Sequence, residues 1–114
     1  MTMREDAVRE KIHSMRYSDD LVRLAGECAA RDCDVLMQEC LRKAGECAEF
    51  SSDYCRIAEP WHRWGYGAWT EIARCVRKAE ELALYPADFR EIDALKNALA
   101  ITGKQGWFAF HPAA

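Results

Sequence analysis

Six cysteines are the side chains in this sequence best suited to chemistry: Cys28, Cys33, Cys40, Cys47, Cys55 and Cys75. Thiolates bind soft metal ions, form disulfides and act as nucleophiles, so their spacing decides what they can do. Cys33, Cys40 and Cys47 recur every seven residues. At a rise of about 1.5 Å per helical residue they stand about 10 Å apart along one stripe. A disulfide needs Cα atoms within about 7 Å, so these three cannot pair among themselves. Their partners are thiols on other helices, Cys28 and Cys75, or on another chain. Two ligands to one zinc ion come as a CxxC knuckle or a helical CxxxC, and neither occurs: Cys28 and Cys33 are five apart, and Ser51 holds the i+4 place after Cys47. That excludes a zinc finger or ribbon. Soft Cu(I) accepts two thiolates from different helices and remains compatible with the pattern. The plainest expectation is a set of reduced thiols packed as small hydrophobes.

A second group is aromatic and basic. Trp61, His62, Arg63, Trp64, Tyr66 and Trp69, followed by Arg74, Arg77 and Lys78, set stacking faces beside cations. Trp, Tyr and Arg dominate protein-binding hot spots, and the same mixture grips single-stranded nucleic acid. The tail KQGWFAFHPAA adds Trp107, Phe108 and Phe110. Those rings either fold back or meet a partner. Partner binding is therefore placed on Arg63, Tyr66, Trp61, Trp107 and Phe108. Catalysis has little to work with: no local motif joins His62 to Cys55 or Cys75 as base and nucleophile, and no phosphate loop or Glu-x-x-His pair is present.

These side chains must be positioned by helices, because no strand-like alternation of useful length occurs. Thr2 and Glu5 have capping-box spacing, and Val8, Ile12 and Met15 form the inner face of a first helix. Ser18, Asp19 and Asp20 start a second, with Leu21, Ala25 and Cys28 inward. Asp32 or Asp34 then caps a third, or the second runs straight into it. Residues 33–58 read as one long helix, stopped by Pro60. After it, Trp61, Trp64, Ala68, Ile72, Cys75, Ala79 and Leu82 hold helical spacing, which would start a fourth helix at Pro60, yet Gly65 and Gly67 favour an irregular turn before a helix over 68–84. Asp88 caps a last helix with Phe89, Ile92, Leu95 and Leu99 inside, closed at Thr102 and Gly103. No internal repeat or low-complexity linker stands out.

The 114 residues are expected to make one all-α domain, an antiparallel bundle of four to five helices with an aromatic C-terminal tail. Half the residues are apolar and 31% are charged, a globular balance rather than a disordered one. A net charge of −3 pulls the surface toward neither nucleic acid nor anionic lipid. No apolar run approaches the roughly 20 residues of a membrane span, and the charged N-terminus lacks the apolar middle of a signal peptide, so a cytoplasmic chain is the expectation.

The run Cys40, LRKAGE, Cys47, Ala48, Glu49, Phe50, Ser51, a glycine-containing break and then ARCVRKAEELA resembles the cysteine-rich four-helix-bundle copper-storage proteins over roughly residues 33–84. The resemblance implies a bundle whose thiols face inward and bind Cu(I); the candidate ligands for that alternative are Cys28, Cys33, Cys40, Cys47 and Cys75. The sequence departs from the family where Ser51 replaces a paired thiol and where residues 77–82 carry no cysteine. Such a chain would have lost most of its ligands.

Together these features point to a small non-enzymatic bundle without a cofactor that binds another macromolecule. A protein is the first choice, as for an adaptor, regulator or inhibitor of a complex, and single-stranded nucleic acid the second. Cu(I) binding through thiolates is the alternative function.

Overall fold

The computed structural model describes residues 4–64 and 68–102, the last three by their backbone alone. Six helices and no strand occur among the described residues: α1 (Glu5–Ser14), α2 (Ser18–Ala30), α3 (Asp34–Cys47), α4 (Ser51–Trp64), α5 (Trp69–Leu82) and α6 (Pro86–Thr102). Contacts gather into two compact units, α1 to α3 and α4 to α6. In the first, α2 and α3 pack as a helical hairpin with α1 laid against α3. Val8, Ile12, Leu21, Leu24, Met37 and Leu41 fill its interior. In the second, α4 and α5 form the hairpin and α6 touches both. Ile57, Trp61, Ile72, Val76, Ile92 and Leu99 make that core.

Several sequence expectations change here. The long helix over residues 33–58 is two helices, parted at residues 48–50. The second and third helices are separate, because α2 closes in a Schellman motif: Asp32 N–H donates to Ala29 O and Cys33 N–H to Cys28 O, with Asp32 at φ 56°. Aspartate tolerates this left-handed turn at some cost. Asp32→Gly is therefore expected to raise stability by about 0.5–1 kcal/mol in urea unfolding, provided the turn persists. α4 does not stop before Pro60 but runs through it to Trp64. An interior proline costs about 3 kcal/mol relative to alanine, and burial of Pro60 and Trp61 offsets that. The last helix starts at Pro86 rather than behind Asp88. The first starts behind Arg4 with no side-chain cap, and Thr2 lies outside the described residues. Ser18 sits inside α2, whose N-cap is Tyr17.

A repeat emerges that hydrophobic period alone conceals. α3 and α5 each span 14 residues, 35 positions apart, and match at Cys40 and Cys75, Arg42 and Arg77, Lys43 and Lys78, and Ala44 and Ala79. α1, α3 and α5 all end in an extended residue, Met15, Ala48 and Ala83, with ψ of 135°, 138° and 127°. In each case an aromatic residue (Tyr17, Phe50 or Tyr85) then precedes the next helix. At two of these corners one aspartate ties the chain down. Asp53 Oδ2 accepts from Glu49 N–H and Phe50 N–H, both at 3.0 Å. Asp88 Oδ2 accepts from Leu84 N–H at 2.9 Å and Tyr85 N–H at 3.1 Å. Each carboxylate satisfies two backbone donors that the helix start leaves over.

Candidate functional site

The thiols separate by unit. Cys28, Cys33, Cys40 and Cys47 lie in the first, Cys55 and Cys75 in the second. Cys28 and Cys40 are both fully buried in the α2 and α3 hairpin, near enough for each thiol to act on the other. Burial pushes the Cys40 thiol up to about 12, and the neighbouring Cys28 adds to the rise. Cys28 is also raised, again by burial first, while its bond to Cys40 opposes the change. Cys33 is half-buried at the end of the hairpin loop, its Sγ donating to Arg31 O at 3.6 Å. Cys47 is half-buried too, at the end of α3. In the second unit burial raises Cys75 to about 12 and Cys55 to about 11. Among the described residues no three His, Cys, Asp or Glu side chains converge in a way that could hold a metal ion. Of the five candidate Cu(I) ligands, the fold thus brings together Cys28, Cys40 and the adjoining Cys33. It leaves Cys47 further along α3 and puts Cys75 in the other unit.

The aromatic and basic group is corrected in part. Trp61 is 2% exposed and belongs to the core of the second unit, so it is not displayed to a partner. It is buried because α4 continues through Pro60 and turns position 61 inward beside Ile57 and Ala58. His62 meets Trp69 edge-on, with ring centroids 5.8 Å apart. Arg63 is exposed, as expected, but its guanidinium pairs with Glu59 and lies 5.6 Å from the centre of the Trp64 ring. Arg74 pairs with Glu71 at 3.2 Å and Lys78 with Glu81 at 3.5 Å. Each of these three cations thus has a carboxylate partner on its own helix. Tyr66, Trp107 and Phe108 lie outside the described residues.

Apart from Val35 in the first turn of α3, the large apolar side chains displayed among the described residues lie at the corners. At the corner between α5 and α6, Leu84 is 78%, Tyr85 67% and Phe89 53% exposed, with Leu82 beside them at 39%. Phe89 was expected inside with Ile92. It occupies the first turn of α6, one turn after Tyr85, where no other helix among the described residues covers it. The signal that could have found this surface is the recurring aromatic before a serine or proline and an aspartate, in YSDD, FSSD and YPAD.

A cleft of about 270 Å³ between α1 and α3 is bounded by Arg9, Glu39, Arg42, Lys43 and Glu46 over Ile12. Glu39 takes both ends of the Arg9 guanidinium at 3.2 Å, and the mixed charges favour neither sign of ligand. No helix among the described residues is long and apolar enough to cross a membrane.

The arrangement defines an all-α protein of two three-helix units, one with a thiol cluster and one with an apolar corner. The chain matches no protein-family model, and neither a curated protein nor a solved structure is significantly similar to it.

Proposed function

We propose that this chain is a small non-enzymatic helical protein that binds another protein through the corner formed by Leu82, Leu84, Tyr85 and Phe89. The supporting observation is exposure: four large apolar side chains stand in water within eight residues, on a backbone held by the two Asp88 hydrogen bonds. Large side chains on a fixed backbone give up little entropy on binding, which suits a contact surface. Arg63 is a candidate at the edge of the same helical unit. The reading places the chain in the adaptor, regulator or inhibitor class, in the cytoplasm and free of any cofactor.

A Leu84→Ser, Phe89→Ser double variant tests it. The variant should keep its helical spectrum and thermal midpoint, because both residues are exposed, yet bind a partner recovered by crosslinking at least about tenfold more weakly. Unchanged binding would remove the corner from the function. Arg63→Ala in the same assay should give a smaller loss, since its charge is already paired with Glu59.

A second reading is favoured by the contact between Cys28 and Cys40. Two thiolates on facing helices fit a single two-coordinate Cu(I), and these two residues would hold it. They do not fit storage of many ions, for which several such pairs are needed. Titration against a competing chelator should show at most one or two tight equivalents.

A further inference from the structure

The three clustered thiols of the first unit form a path from solvent to core. The Schellman motif that ends α2 bonds Cys33 N–H to Cys28 O at 2.9 Å. In this motif the side chain after the turn commonly meets the one at the third position from the helix end, and these are Cys33 and Cys28. They are close enough for the Cys33 charge to act on Cys28. Cys28 in turn lies near enough to Cys40, buried on the facing helix, for the two thiols to act on one another. Exposure therefore falls along the series: Cys33 is half-buried, Cys28 and Cys40 fully buried.

The second hairpin serves as a comparison within the same chain. A shift of 35 residues aligns α3 with α5 and Cys40 with Cys75. A shift of 33 aligns the starts of α2 and α4 and sets Cys28 against Trp61. Where the second hairpin fills its interior with an indole, the first opposes one thiol to another. The hairpin scaffold does not itself require a cysteine at that place.

We propose that Cys33, Cys28 and Cys40 constitute a thiol–disulfide exchange site that accepts a small disulfide of the glutathione class and stores the oxidation as a disulfide between Cys28 and Cys40. The Cys33 thiolate attacks one sulfur of the small disulfide, forming a mixed disulfide and releasing one thiolate, which takes up the proton Cys33 lost. Cys28 attacks the Cys33 sulfur, joining the two residues and expelling the second small thiol with the proton of Cys28. Cys40 then attacks the Cys28 sulfur, its proton passing to Cys33, which returns as a free thiol. Two protein thiols are oxidised and one small disulfide is reduced to two thiols. Entry falls to Cys33 because it alone of the three reaches solvent, whereas the buried pair cannot meet an external sulfur. Cys47, equally half-buried but about 10 Å along α3 from Cys40, has no such path. It serves as the control.

The experiment treats the reduced full chain with oxidised glutathione in the presence of a metal chelator, then quenches with acid, alkylates the remaining thiols and maps the linkages by mass spectrometry. The expected result is a transient glutathione adduct on Cys33 that converts to a Cys28 to Cys40 disulfide, while any adduct on Cys47 persists. Cys33→Ser should slow formation of the internal disulfide at least tenfold, and Cys47→Ser should not; both positions are half-exposed, and circular dichroism verifies that the variants fold. A persistent adduct on Cys33 with Cys28 and Cys40 still alkylated would overturn the proposal. So would an internal disulfide that forms as fast in Cys33→Ser as in the parent chain.

Discussion

Replacing Trp61 by alanine is expected to destabilise the unit of α4 to α6 by about 3–5 kcal/mol, the range for deleting a buried aromatic side chain. Trp61 is 2% exposed, with Ile57 and Ala58 buried one turn before it on α4, which packs on α5 and α6. A single domain is stable by about 5–15 kcal/mol, so the change removes a large share of that margin. Amide hydrogen exchange should accelerate throughout α4 and α5, with a lower urea midpoint. If Trp61 were instead a displayed contact residue, the variant would melt with the parent and lose only binding. An unchanged midpoint would therefore reverse the assignment of Trp61 to the core.

The next largest effect is expected at the corner into α4. Asp53 Oδ2 alone satisfies two backbone donors, Glu49 N–H and Phe50 N–H. Asp53→Ala should destabilise by about 0.5–2 kcal/mol, as for loss of a helix N-terminal cap. Asn retains an acceptor and should restore part of the loss; if Asn and Ala behaved alike, the two hydrogen bonds would contribute nothing. The equivalent Asp88 supplies a pH signature. The N–H groups of Leu84 and Tyr85 hold its carboxyl below the usual aspartate range. For a carboxylate whose folded pKa is depressed, the stabilisation is fully present above the unfolded value, about 3.9, and is lost as pH falls through the lower folded value. Acid unfolding of the second unit should therefore begin below about pH 4, and Asp88→Asn should flatten that limb.

The all-α class and most inward stripes were legible from the sequence. Leu21, Ala25 and Cys28, then Ile72, Cys75 and Ala79, then Ile92, Leu95 and Leu99 recur at helical spacing, and all are buried. A stripe of this kind depends only on the order of residues along one helix, so no knowledge of neighbours is needed to read it. The break at residues 48–50 was hidden for a related reason. Ser51 follows Cys47 by four positions and Cys55 follows Ser51 by four, so the apolar period carries across three non-helical residues without a visible fault. The repeat at 35 residues lay beyond the window in which helical period is judged, and only comparison of the chain with itself exposes it.

Tertiary structure decided the rest. Local preference stops a helix before Pro60, yet burial of Pro60 and Trp61 carries α4 through to Trp64. That outcome reverses Trp61 from contact residue to core. It follows because burying a large aromatic is comparable with or larger than the intrinsic penalty that the proline imposes. Phe89 keeps helical spacing with Ile92 and still faces water, because spacing says which residues share a side of a helix and not whether another helix covers it. The meeting of Cys28 with Cys40 depends on how α2 and α3 close as a hairpin around Asp32. The sequence by itself determined that the seven-residue series could not pair within its own helix. Which thiol it would meet was set by the left-handed turn and by packing across the hairpin, since contact between residues on different helices is a property of their relative placement.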